Sequence, residues 1–192
     1  MDLSNWNTGK VTDMQYMFSD CWRMVTLNVT GWDTSKVTNM NTMFGYYEYG
    51  SPQLTTVTGM QTWNVSKVTN MYQLFWECTA LQSLDISGWN LAACANFSWS
   101  FCDCISLTSL KADGMIMPSG CNNNSMFAKY RKTGCPLLKT VSMKNSNAVS
   151  VDKIITVLPT RTSSDKGSLV ITGISGTAST STATSKYWTV TN

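Results

Sequence analysis

Two hydrophobic patterns alternate along the first 145 residues. One places apolar side chains at i, i+3 and i+5: Met24, Leu27 and Val29; Leu81, Leu84 and Ile86; Leu107, Leu110 and Ala112; Leu138, Val141 and Met143. Apolar residues two apart on a short segment predict a strand with one face buried and one solvated. The other pattern places Val11, Met14, Met17 and Phe18 at i, i+3, i+6 and i+7. It recurs as Val37, Met40, Met43 and Phe44 and as Val68, Met71, Leu74 and Phe75. That spacing predicts one face of a short helix. Thr12, Thr38 and Thr69 stand at its expected N-cap, and Thr12 with Gln15 has the spacing of a capping box. Gly31 before Trp32 and Gly88 before Trp89 mark a turn between the two halves.

The two patterns together form a repeating unit, Trp-x-x-x-x-Val-Thr-x-Met-x-x-(Met/Leu)-Phe, at 6–18, 32–44 and 63–75. The phenylalanines Phe18, Phe44, Phe75, Phe101 and Phe127 are spaced 26, 31, 26 and 26 residues apart. A fixed period of this size implies one supersecondary unit per repeat, stacked so that neighbours bury each other's apolar faces. The strands centred on Leu27, Val57, Leu84, Leu110 and Val141 are then parallel, ~4.8 Å apart, and the five Phe form one buried column. The Trp, Met and Phe columns read as core packing, not a cofactor box. Two units carry insertions at the same place, 45–53 and 128–136, which map to loops on one flank. Stacking brings Tyr46, Tyr47 and Tyr49 to the same side as Tyr130, Arg131 and Lys132, ~15 Å away. These six are the candidate partner-binding residues.

From about Ser146 the motif stops. Val151, Ile154, Ile155 and Leu158 predict a helix ending before Pro159. Residues 168–172 and 187–190 predict strands, with a polar connection at 177–185. The division expected is a solenoid over 1–145 and a capping segment over 146–192. At the other end only Met1 and Leu3 remain of a first strand, leaving an edge open to pairing.

Charge adds one asymmetry to this picture. The chain carries +3 overall, but residues 114–151 hold Lys129, Arg131, Lys132, Lys139 and Lys144 with no carboxylate. A solvated basic face accounts for this; no nucleic-acid signature accompanies it. No run of 18 apolar residues exists, so no membrane insertion is expected, and the N-terminus lacks the basic and apolar regions of a signal peptide. Seven cysteines include Cys21, Cys78, Cys104 and Cys135 at one repeat position. Buried free thiols are expected there, with a disulfide between neighbouring turns as the alternative. There is no histidine and no metal-ligand spacing, and no nucleophile has a plausible partner; Asp103, between Cys102 and Cys104, is the nearest thing to a reactive cluster. Catalytic, cofactor and metal sites are therefore not expected.

Residues 2–14 and 31–40 strongly resemble the BspA-like leucine-rich repeat of bacterial surface proteins. The match is close over 1–92 and traceable to about 145. Lys186-Tyr187-Trp188-Thr189-Val190 looks like the Lys-x-Trp-Thr-Val ending of that family's C-terminal cap. Units four and five depart from the pattern, with Ala93-Cys94-Ala95 and with Gly120 in place of Val. The resemblance implies a right-handed leucine-rich-repeat-like solenoid of short parallel strands alternating with short helices. It also implies display on a cell surface or outside the cell, adhesion, and no enzymatic activity. The function expected is a binding module for a protein or glycan ligand. The alternative is an assembly subunit of a virion, phage tail or surface fibre, docked to another subunit or domain through its open N-terminal turn.

Overall fold

The computed structural model describes residues 1–45 and 52–192. The chain winds into a parallel β-solenoid. Strands β1 (Thr26–Asn28), β2 (Thr56–Thr58), β3 (Ser83–Asp85), β4 (Ser109–Lys111) and β5 (Thr140–Ser142) hold three residues each. Each turns its middle residue inward. β1 pairs with β2, and β3, β4 and β5 pair in order, with Leu84, Leu110 and Val141 in register. The 26-residue period thus becomes one strand spacing per turn.

Residues 146–192 prolong this sheet. β6 (Gly167–Val170) pairs with β5, and β7 (Trp188–Thr191) with β6, both in parallel. The predicted helix is α1 (Ala148–Val157), begun by Asn147, whose side chain accepts the Ser150 N–H. The expected polar connection instead contains a short helix, α2 (Ser181–Ser185), anchored by the buried Ala183. Lys186 follows it and donates to the carbonyls of Ile155, Thr156 and Leu158 at the end of α1.

The helix expected in the second half of each repeat is not formed. Met14, Tyr16 and Phe18 donate their N–H groups to Asn39, Asn41 and Met43 of the next turn; Met40, Thr42 and Phe44 donate likewise to Asn70, Tyr72 and Leu74. The same offset carries Met71, Gln73 and Phe75 to Asn96, Ser98 and Ser100. This second ladder consumes the donors an α-helix would need. Tyr16, Thr42, Gln73, Trp99 and Ser125 have φ between 51° and 60°, a left-handed conformation that no right-handed helix accommodates. The capping box fails for a related reason. Gln15 N–H bonds the side chain of Asp13, and Asn39, Asn70, Asn96 and Asn122 repeat that Asx turn. These five residues form a column of parallel bridges. Spacings of three and four arose here from successive tight turns, such as Met17 N–H to Met14 carbonyl and Cys21 N–H to Phe18 carbonyl.

Aromatic columns fill the interior. Phe18, Phe44, Phe75, Phe101 and Phe127 are all buried, with consecutive ring centroids 5.6, 4.7, 5.8 and 5.5 Å apart. Trp32, Trp63 and Trp89 stack beside them, and the exposed Trp6 continues that stack at the first turn, all within 8° of parallel. The indoles of Trp32 and Trp89 also donate to carbonyls of the preceding turn, at Leu3 and Met60. The cysteine column is built the same way. The thiols of Cys78, Cys104 and Cys135 donate to the carbonyls of Phe44, Phe75 and Phe101, and all seven cysteines are free. In unit five it is Cys121, buried, that takes the position of the inward Val, while Gly120 is exposed. The pattern alone is one residue off register there, because Pro118 and Cys121 close the inward turn.

Candidate recognition surface

The insertion at 128–136 is anchored at one carboxylate. Asp103, two residues after Phe101 and with φ of 56°, is fully buried. Its Oδ2 accepts the N–H groups of Tyr130, Arg131 and Lys132 at 3.0, 2.6 and 2.9 Å. Its Oδ1 accepts that of Gly134 at 2.7 Å. Burial alone would raise the Asp103 pKa, but these four backbone donors stabilise the anion and hold it below the ordinary aspartate value. Gly134 has φ of 74° and packs its α-carbon against the Phe127 carbonyl, where an added Cβ would lie 3.1 Å from the oxygen. Beyond it, the buried Arg161 donates to the Pro136 carbonyl and to the carboxylate of Asp165. The apparent reactive cluster at Asp103 is thus a loop clamp.

The clamp presents Tyr130 outward against two indoles from earlier turns. Its ring lies 5.7 Å from Trp76 at 57° and 5.8 Å from Trp99 at 87°. The Arg131 guanidinium stands 5.4 Å from the Tyr130 ring centre, and its Nε is 4.0 Å from the carboxylate of Glu77. Glu77 is 3% exposed, and its Oε1 has no hydrogen-bond partner among the described residues. Burial raises its pKa, partly opposed by the charges of Arg131 and Lys132. Tyr72, Gln73, Trp76, Trp99 and Tyr130 line a cleft of about 150 Å3.

Of the six candidate residues, Tyr130, Arg131 and Lys132 therefore share one flank. Tyr46, Tyr47 and Tyr49 lie outside the described residues, as does the expected pairing of the two loops. Sequence reading overlooked Tyr72, Trp76 and Trp99. The signal was present: Trp76 and Trp99 stand outside the Trp column, at positions where other units carry Ser19, Gly45 and Cys102, or Tyr16, Thr42 and Gln73.

A second surface lies at the first turn. Met1, Trp6, Tyr16, Trp22 and Val25 are all exposed, and a groove of about 650 Å3 runs over Met1 and residues 20–26. In later turns the carbonyls of the second ladder accept from the turn before; those of Asp13, Gln15 and Met17 accept no backbone donor among the described residues. The strand face offers a third surface, a hydroxyl row in which Ser83, Ser109, Thr140, Ser168 and Thr189 are in register. Beside it Lys111 and Asp85 pair at 3.1 Å.

These features define a repeat protein of the parallel β-solenoid class, held by two inter-turn ladders and stacked aromatic columns. Its sequence matches the family model described as "Mycoplasma protein of unknown function, DUF285" over residues 1–53 and 49–139. The chain belongs to that family. No curated protein and no solved structure matches it. Among the described residues, no helix is long and apolar enough to cross a membrane.

Proposed function

We propose that this protein is a non-enzymatic binding module, displayed on a cell surface or outside the cell. It recognises a protein or glycan through the flank formed by Trp76, Trp99, Tyr130, Arg131 and Lys132. The observation that carries this reading is the Asp103 clamp. Four backbone N–H groups on one buried carboxylate order the loop during folding. Binding then costs less conformational entropy, which raises affinity without any new contact. Tyrosine, tryptophan and arginine are the side chains that dominate binding hot spots. The resemblance to BspA-like surface repeats supports display and adhesion, and the lack of histidine argues against acid–base catalysis near neutral pH.

The test is a glycan array together with a panel of immobilised extracellular-matrix proteins, probed with the purified chain and its variants. Tyr130→Ala and Arg131→Ala each weaken the retained interaction by about tenfold or more, with circular dichroism showing the solenoid still folded; Tyr47→Ala reports on the other insertion. Full binding by the Tyr130 and Arg131 variants removes this flank from recognition.

The assembly reading has its own support in the first turn. Its carbonyl row at Asp13, Gln15 and Met17, which accepts no backbone donor among the described residues, lies beside exposed Trp6 and Trp22 and suits a partner that offers N–H groups and an apolar face. Sedimentation of the native chain and of Trp22→Glu tests it: self-association abolished by the charge favours assembly, whereas a monomer in both cases leaves no role for that edge in self-assembly.

A further inference from the structure

The cleft beside Tyr130 differs in kind from the aromatic columns inside the solenoid. Within each column consecutive rings lie flat on one another, within 8° among the Trp and within 15° among the Phe. At the cleft the Trp76 and Trp99 rings meet Tyr130 at 57° and 87°. Rings inclined to one another wall a small space from several directions, where coplanar rings would make a platform for a flat sugar or base. Size narrows the occupant further. Pockets for drug-sized ligands run to roughly 300–1,000 Å3, so a cleft of about 150 Å3 admits one compact group and excludes an oligosaccharide or a peptide segment. Four of its five lining residues are aromatic, with the Gln73 amide the one non-aromatic side chain. Such a wall offers π faces to a cation more readily than hydrogen bonds to a neutral polar group. A cation that gives up little hydration when enclosed by such faces is a quaternary ammonium.

The rim adds a second requirement. Arg131 stands next to Tyr130 with its side chain 56% exposed. Lys129, Arg131 and Lys132 fall in the stretch that contains no carboxylate between residues 114 and 151. Glu77 lies 4.0 Å from the Arg131 Nε, and a guanidinium on a side chain more than half exposed can grip a phosphate with two N–H groups. An aromatic box for a cation beside a basic rim for an anion fits a compact zwitterion. We propose that the Tyr72–Trp76–Trp99–Tyr130 cleft binds the trimethylammonium group of phosphocholine while Arg131 engages its phosphate. This rests on the recognition reading of the same flank and names the chemical group it takes.

The experiment is calorimetric titration of the intact chain with phosphocholine, choline and 3,3-dimethylbutyl phosphate, the last an uncharged-carbon copy of the trimethylammonium end. Phosphocholine binds most tightly, and replacing the ammonium nitrogen by carbon weakens binding about tenfold. Tyr130→Leu and Trp99→Leu weaken both choline compounds to a similar extent; circular dichroism verifies that each variant is folded. Arg131→Gln weakens phosphocholine but leaves choline unchanged. Vesicles then separate the sources. Co-sedimentation with phosphatidylcholine but not phosphatidylglycerol assigns a lipid headgroup, and binding confined to soluble phosphocholine assigns a free or polymer-linked one. Equal binding of the carbon isostere, preference for phosphatidylglycerol, or no heat with phosphocholine overturns the proposal. If phosphocholine is silent while Tyr130→Ala still abolishes capture on the array, this inference fails and the recognition reading stands. If both are silent, both fail.

Discussion

At the scale of single residues, the side chains that matter most are those whose contacts repeat from turn to turn. Phe75 is fully buried between Phe44 and Phe101. Phe75→Ala removes a ring with neighbours on both faces and is expected to cost about 3–5 kcal/mol, measured by denaturant unfolding. Asp103 acts locally instead. In Asp103→Asn the anion that collects four N–H groups is lost, so the amides of Tyr130, Arg131 and Lys132 exchange with deuterium faster while those of β3 and β4 do not. The folded pKa of Asp103 is lowered, so its contribution is present above the ordinary aspartate value of 3.8 and is lost as pH falls through the depressed folded value. The loop should therefore loosen in acid before the solenoid melts. Glu77 behaves with the opposite sign. Its folded pKa is raised by burial, so its protonated form is favoured in the fold, and the contribution present below 4.5 is lost as pH rises through the folded value. Glu77→Gln should raise the melting temperature at pH 7 and change it little at pH 4. A lower melting temperature at pH 7 would mean that the Arg131 ion pair outweighs the cost of burying the charge.

At the scale of elements, the turn sets the structure and the strand follows. Three-residue strands contribute few hydrogen bonds on their own, and the second ladder along Asp13, Asn39, Asn70, Asn96 and Asn122 shares the load. Deuterium exchange should consequently find the amides of Met40, Thr42 and Phe44 as protected as those of β1 and β2, although the former lie in no regular element. The 31-residue interval shows how an element absorbs extra chain. Four additional residues fall between Phe44 and Val57, and one more between Thr58 and Trp63. There Gly59, with φ of 97°, crosses so close to Thr30 that an added Cβ would lie 2.4 Å from its nitrogen. A brief 3-10 turn over Met60–Thr62 follows, and the sheet is interrupted between β2 and β3. In the last segment, α1 depends on its cap. Asn147→Ala frees the Ser150 N–H and should cost about 0.5–2 kcal/mol, read as a lower unfolding midpoint.

At the scale of the whole molecule, columns running along the axis couple every turn to its neighbours. Cys78, Cys104 and Cys135 illustrate this, since each thiol is committed to a carbonyl one turn away. Burial pushes all three thiols well above the ordinary cysteine pKa, with neighbouring cysteines adding to the rise at Cys104, and Cys102 and the Asp103 carboxylate adding to it at Cys135. They should resist alkylation in the folded protein at pH 8, and all seven should react once it is denatured without reductant. Recovery of fewer than seven free thiols would point to disulfide stapling between turns.

The sequence by itself determined the period, the inward residues of β1 to β5, the Phe column and the thiol column, because each follows from side-chain identity repeated at a fixed interval. It also located the helix of residues 148–157, where hydrophobic spacing and a following proline agree. It misjudged the second half of the repeat. Spacings of i, i+3 and i+7 are produced equally by a helix and by a chain of tight turns whose N–H groups bond outward to the next coil. The choice depends on whether a neighbouring turn supplies carbonyls at the right height, which no local window contains. The cleft was hidden for the same reason. Tyr72 and Trp76 come from one turn, Trp99 from the next and Tyr130 from an insertion in the turn after that. Only stacking brought them together, and only the buried carboxylate of Asp103, whose four partners lie 27 to 31 residues away, decided where Tyr130 would stand.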